Sequence, residues 1–180
     1  MKTLVVFDFD DTLFRSGSRI VVKNGRKRKF LSSHEYAVHV PKPDEEFDFS
    51  EFDSYPKKPE PIVDTVELLK IHVAEHKLQN VIILTARGSK HPVEMTLQNF
   101  HLPPVFVAAV GTSDPQAKAE YVKRTIDAED YNRVIVYEDN EKNIFAIKQT
   151  VEDRLGPGSC EAFKVIHGTT VTKLQKTSKQ

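Results

Sequence analysis

The chain has 180 residues, and its 26 lysines and arginines are balanced by 26 aspartates and glutamates. That length suits one core with a small insertion, and the zero net charge excludes a whole-molecule field that draws the protein to nucleic acid or membrane, so such binding has to come from a local patch. A single cysteine, Cys160, excludes an internal disulfide. No apolar run approaches the ~20 residues that span a bilayer, and the N-terminus lacks a signal-peptide pattern, so a cytoplasmic location is expected.

The first apolar run, LVVFDF over Leu4–Phe9, predicts a buried strand that delivers Asp8, Asp10 and Asp11 at its end. Clustered carboxylates repel one another and resist leaving water. A compensating cation is therefore expected beside them. From Arg15 to Pro61 the pattern changes. RIVVKNGRKRKF reads as a hairpin, with Ile20–Val22, an Asn24-Gly25 turn and Lys27–Leu31; Asn-Gly is a strong two-residue hairpin signal. The tip carries Lys23, Arg26, Lys27, Arg28 and Lys29. Such a patch fits a nucleic-acid backbone or a polyphosphate, and it fits equally a charge run that guards a sheet edge. Next, PKPDEEFDFSEFDSYPKKPEP is proline-rich and acidic, which excludes a regular helix or a central strand. Phe47, Phe49, Phe52 and Tyr55 are expected to pin it to the body as an irregular loop. Its acids would compete for the basic side chains of the hairpin.

Pro61–Lys77 carries Ile62, Val66, Leu69 and Val73 on one stripe and predicts a helix. His72 and His76 are four apart on it, a spacing that suits a metal, but no third ligand is visible and a solvated helix face is expected. Val81–Thr85 (VIILT) predicts a strand leading into Ala86 and Arg87, Pro92–Phe100 a short helix, and Val105–Val110 a further strand. Ser113-Asp114-Pro115 opens another helix, with Pro115 in its first turn and Asp114 at the capping position. Val134–Tyr137 predicts a strand that runs into Glu138, Asp139 and Asn140; Glu141–Val151 a helix; Phe163–Ile166 a last strand; and about 169–180 a polar tail. Cys160 is expected in packing or in a loop.

Apolar strands alternating with helices imply an α/β fold, a Rossmann-like three-layer parallel sheet with helices on both faces. The chain reads as one domain over 1–180, with a flap and small cap insertion at about 15–61. Ligands bind at the carboxyl ends of the strands in such sheets. That edge would gather Asp8 and Asp10, then Thr85 to Arg87, then Glu138 to Asn140. Mg²⁺, a hard cation that takes one or two carboxylates plus phosphate oxygens, is the expected occupant.

Four short stretches carry a resemblance. DFDDT (Asp8–Thr12) resembles the first motif of the haloacid dehalogenase (HAD) superfamily, ILTAR the second, Lys118 at the start of a helix the third, and YEDNEKN the fourth. Within that superfamily the sequence is similar to small phage-type proteins and, less closely, to the 3′-phosphatase domain of phage polynucleotide kinases, which share the spacing of Asp114 and Lys118 in SDPQAK. The resemblance implies that Asp8 is the nucleophile and that Asp10 protonates the leaving oxygen and then activates water. It implies Mg²⁺ held by Asp8, the backbone carbonyl of Asp10 and Asp139, with Glu138 near or in the shell, although Glu138 stands where Asp or Gly is more usual. Thr85 would hydrogen-bond the phosphoryl group and Lys118 would neutralise it.

Other neighbours carry two readings each. Arg87 clamps phosphate bidentately or lies on a surface loop. Asn143 reaches the metal shell, or caps its helix or faces solvent. Asp114 caps its helix or orients Lys118, and Asp11 faces solvent or caps the turn, against a catalytic role. Lys23, Arg26 and Arg28 join Arg87 as candidate substrate contacts. The expected function is Mg²⁺-dependent phosphomonoester hydrolysis through an aspartyl-phosphate, on nucleic-acid 3′ ends or nucleotides. The alternatives are a phosphatase for another small metabolite or a phosphoprotein, and a low-turnover nucleic-acid-binding module on the same scaffold.

Overall fold

The computed structural model describes residues 1–166 and 170–173. Its body is a six-stranded sheet built from β1 (Thr3–Phe7), β7 (Val81–Thr85), β8 (Phe106–Ala109), β9 (Arg133–Glu138), β10 (Cys160–Ile166) and β11 (Thr170–Lys173), in the order β11-β10-β9-β1-β7-β8. The first five in chain order are mutually parallel, and β11 pairs with β10 antiparallel. The chain is thus α/β with a five-stranded parallel sheet covered on both faces, as the alternating pattern predicted. Part of the expected tail, Thr170–Lys173, is this edge strand, and the rest of the tail lies outside the described residues.

Strand alternation sorts the core into two layers. Leu4 and Val6 of β1 face α4 (Pro115–Glu129) and α5 (Glu141–Leu155), and pack with Ala119, Val122, Ile144 and Ile147. Val5 and Phe7 face α2 (Val63–His76) and α3 (His91–Asn99), and pack with Val66, Leu69, Val93 and Leu97. Both faces of β1 are therefore fully buried, which explains its unbroken apolar run. Cys160 lies in the first layer as a buried core thiol. No helix among the described residues is long and apolar enough to cross a membrane.

The insertion has its own structure. β2 (Phe14–Arg15) pairs with β6 (Glu60–Pro61) at its base. β3 (Ile20–Asn24), β4 (Lys27–Leu31) and β5 (Glu46–Asp48) form a small antiparallel sheet in the order β4-β3-β5. Ile20, Val22 and Phe52 form its buried centre. The hairpin exists, but its turn lies one residue later than predicted. Asn24 pairs with Lys27, so the two loop residues are Gly25 and Arg26. Gly25 has φ 57° while Arg26 is not in the positive-φ region; a glycine at the first central position is what a type II′ turn requires. The acidic stretch is not wholly irregular either, because β5 is an edge strand, where pairing on one side is enough. α1 (Ser33–Val38) was not foreseen. Its signal was present in the capping box of Ser32 and Glu35, which the structure closes in both directions.

Candidate active site

The chain leaves β1 towards β7 on one side of the sheet and later returns to β9 on the other. The switch point therefore falls between β1 and β9, where a crevice opens at the carboxyl ends. β1 delivers Asp8, whose N–H still donates to Tyr137 O at 2.9 Å, and β9 delivers Glu138 and Asp139. A cleft of about 570 Å³ opens here, lined by Asp8, Asp10, Arg87, Lys118, Glu138 and Asp139 among others. A larger depression of about 930 Å³ lies around the amino-terminal ends of the strands, near Lys2, Asn80 and Tyr131. Its lining holds no buried charged side chain, whereas the smaller cleft gathers several. The smaller cleft is therefore the candidate site.

Lys118 is the hub. It is 2% exposed, and its Nζ donates to Asp8 Oδ1 and to Glu138 Oε2, both at 2.7 Å. Asp114 caps its helix by accepting from Gln116 N–H at 3.0 Å. Glu138 is buried and fully engaged: Asn143 Nδ2 donates to Oε2 at 3.1 Å and Asn140 N–H to Oε1 at 3.2 Å. Asn143 thus neither caps nor faces solvent; it holds Glu138. Thr12 Oγ1 donates to Asp8 Oδ2 at 3.1 Å and lies 3.5 Å from Asp139 Oδ1. Asp11 takes φ 61° in the loop between them, a left-handed conformation that aspartate tolerates.

Burial works against the charge of Lys118, but Asp8 and Glu138 outweigh it and hold the ammonium above its ordinary range. Burial pushes the Asp8 carboxyl up to about 7; the Glu138 charge adds to the push and Lys118 opposes it. Burial, then the charges of Glu138 and Asp8, push Asp139 well above its usual value. Three carboxylates thus share one ammonium, and the set carries more negative charge than the protein compensates. Asp8, Glu138 and Asp139 each offer an oxygen within 4.8 Å of the others. An all-oxygen donor set with excess negative charge fits a hard divalent cation. Both oxygens of Asp8 and both of Glu138 already accept a hydrogen bond, Glu138 Oε2 two of them, so Asp139 is the least engaged of the three donors.

Arg87 behaves as neither sequence reading foresaw. It is no surface arginine, being 3% exposed, and its donors are directed within the protein. Nε and Nη2 fork onto Asp10 Oδ2 and Oδ1 at 2.8 and 2.7 Å, Nη1 donates to Phe52 O at 2.8 Å, and Nη2 lies 3.3 Å from Ser18 Oγ. Ser16 Oγ adds a bond to Asp10 Oδ1 at 2.5 Å. Asp10 is thereby oriented by three donor atoms from two residues, Ser16 and Arg87, which lie far apart in the chain. Oδ2 receives only the Arg87 Nε, so one of its two lone-pair directions remains for a substrate or water proton. Thr85 is buried, and its Oγ1 accepts the Arg87 N–H at 3.2 Å; it shapes the loop, and Ala86, Arg87 and Gly88 rather than Thr85 reach the cleft.

The basic hairpin stands apart. Lys23, Arg26 and Arg28 do not line the cleft. Lys23 pairs with Asp48 at 3.2 Å and Lys29 with Glu45 at 3.2 Å, so the acidic stretch folds onto the hairpin. Arg26, Lys27 and Arg28 remain exposed at the turn and on the edge strand β4, which is where charged residues protect an open edge. The insertion instead presents Tyr36, Phe49 and Phe52 to the cleft; Tyr36 and Phe49 meet edge to face with centroids 5.3 Å apart. Sequence reading had Phe49 and Phe52 only as loop anchors. Thr12 stood in the first motif without a role of its own, and Ser16, Ser18 and Tyr36 were not assigned to the site, because isolated hydroxyls carry no spacing signal.

Comparison with protein-family models, with curated proteins and with solved structures gives no significant match.

Proposed function

We propose that the chain is a HAD-type phosphomonoesterase that uses Asp8 as a covalent nucleophile. The observation that carries this reading is the buried Asp8–Lys118–Glu138 network, set beside Asp139 and an oriented Asp10 in one cleft. The Asp8 carboxylate attacks phosphorus as the bond to the leaving oxygen breaks, giving an aspartyl-phosphate. Asp10, when protonated at Oδ2, gives that proton to the leaving oxygen and is left as the Arg87-paired carboxylate. It then takes a proton from the water that attacks the same phosphorus, which frees phosphate and restores Asp8. Lys118 offsets charge on the phosphoryl oxygens, and Glu138 with Asn143 keeps Lys118 aimed. Mg²⁺, held by Asp8 and Asp139 with Glu138 beside them, would supply charge neutralisation for the phosphoryl group.

The insertion's share of the cleft lining favours a small substrate over a polynucleotide backbone. It is aromatic, from Tyr36, Phe49 and Phe52, while the basic side chains of the hairpin lie outside it. A planar leaving group such as a nucleoside stacks on such a wall, so a mononucleotide, or the single terminal nucleotide of a strand, is the substrate class we favour. The test is a panel of 3′- and 5′-mononucleotides, phosphorylated oligonucleotides, sugar phosphates and an aryl phosphate, assayed with Mg²⁺ for wild type and Asp8→Asn. We expect hydrolysis in wild type, with nucleotides preferred over sugar phosphates, and none in the folded variant. Near wild-type turnover by Asp8→Asn would remove the covalent mechanism.

A further inference from the structure

The last turn of α2 carries a second cluster, remote from the phosphate chemistry. His72, Glu75 and His76 stand at i, i+3 and i+4, hence on one helix face. The sequence left His72 and His76 as a solvated pair without a third ligand. The structure differs on both counts. His72 is 8% exposed, its ring packed edge-on against Phe7 at 6.0 Å. Glu75 supplies the missing third donor. Each of the three residues offers a nitrogen or oxygen within 4.8 Å of the others. The His76 ring stacks on His72 with centroids 5.4 Å apart and planes at 24°, and the Glu75 carboxylate lies 3.9 Å from His76 Nε2.

An independent observation points to a ligand. His72 Nε2 is 2.8 Å from the Tyr137 hydroxyl, whereas its buried Nδ1 has no hydrogen-bond partner. A buried polar atom left unpaired requires an explanation. A bond from Nε2–H to Tyr137 Oη leaves a lone pair on Nδ1, and a ring anchored through one nitrogen to an oxygen is the usual support of a metal-bound imidazole. The helix C-terminus favours a cation by its own dipole.

We propose that His72, Glu75 and His76 form a second metal site, selective for a borderline transition ion such as Zn²⁺. Two imidazoles and a carboxylate match that ion rather than Mg²⁺, which demands oxygen donors. Three protein ligands leave a fourth position for water. Glu75 and His76 also line the larger depression at the amino-terminal end of the sheet, so that position is reachable from solvent. The ion would clamp the final turn of α2 to the aromatic stack of Phe7 and Tyr137, which are parallel at 4.6 Å.

The test is titration of metal-stripped protein with Zn²⁺ and Co²⁺ in saturating Mg²⁺, which fills the acidic cleft. We expect one equivalent of Co²⁺ with the visible absorption of a four-coordinate ion, displaced by Zn²⁺, and a Zn²⁺-dependent rise in Tm. His76→Ala, at a partly exposed position, should weaken binding by about 100-fold or more, beyond the ~10–100-fold that outer partners contribute. Glu75→Gln should weaken it too. Absence of Zn²⁺ binding to wild type at tens of micromolar would overturn the proposal. So would binding that survives His76→Ala, or binding that is lost in Asp139→Ala and kept in His76→Ala.

Discussion

Arg87→Met is the sharpest probe of the cleft, because it separates an internal brace from a substrate clamp. The Arg87 side chain is 1% exposed and its partner Asp10 is 13% exposed. Methionine keeps most of the volume and removes the charge. The variant leaves the Asp10 carboxylate with Ser16 alone and orphans Phe52 O, the losses that follow from removing one partner of a buried pair, which costs about 3–5 kcal/mol. The guanidinium also lies over the Phe9 and Phe52 rings at 5.3 and 5.0 Å, adding roughly 0.5–1 kcal/mol. Asp10 borders a wet cleft, so water recovers part of the loss and about 3 kcal/mol is the expected total. That is a large share of the roughly 5–15 kcal/mol available to a domain. Asp10→Asn should cost less, and the double variant should cost about 2 kcal/mol less than the sum, because the second change removes a group already orphaned. Urea unfolding at neutral pH with excess EDTA measures all four proteins. A cost below about 1 kcal/mol for Arg87→Met, or additivity within about 0.5 kcal/mol, would refute the brace and return Arg87 to the phosphate.

Asp139→Ala should abolish the Mg²⁺-dependent rise in Tm, which follows from mass action on the folded state. The same protein in EDTA should be as stable as wild type or more so, since burial and the charges of Glu138 and Asp8 work against the Asp139 carboxylate; a large loss in EDTA would contradict the repulsion read here. Replacing Arg26 and Arg28 together by serine should change aryl phosphate and oligonucleotide hydrolysis alike, within about twofold. A selective rise in KM for the oligonucleotide, with a salt slope near −0.7 per phosphate neutralised, would restore a role for the hairpin in binding polynucleotides. On acidification the insertion should loosen before the parallel sheet. Glu45 is held down at about 2, first by His39, and Asp48 at about 2, first by Ser50. Both lie below their ordinary 4.5 and 3.8, so their contribution is complete above those values and is lost as pH falls towards 2. Amide exchange on β3 and β5 that stays as slow as on β1 and β9 down to pH 2.5 would count against it.

The parallel sheet was legible because its determinants are local and repeated. Leu4–Phe7, Val81–Thr85 and Val134–Tyr137 are apolar on both faces, and a strand of that kind has few places to go except the middle of a covered sheet. From that follows the edge that gathers Asp8, Glu138 and Asp139. Asp114 before Pro115 announced its helix in the same local way. The partners of the site were decided by contacts that no spacing encodes. Arg87 reaches Asp10 across 77 positions and Lys118 reaches Asp8 across 110. Sequence can nominate a charged residue, but its partner depends on which loops the crossovers bring together. The turn moved from Asn24-Gly25 to Gly25-Arg26 because the register with β4 selects the loop residues, and either reading satisfies the dipeptide. Lys23 and Lys29 were turned to Asp48 and Glu45 because β5 docks beside β3, a pairing that proline and acid content in the segment masked. The chemistry of each strand end was thus written in its own residues, while charge balance, which decides what a buried carboxylate or imidazole can bind, exists only once the strands and helices are packed.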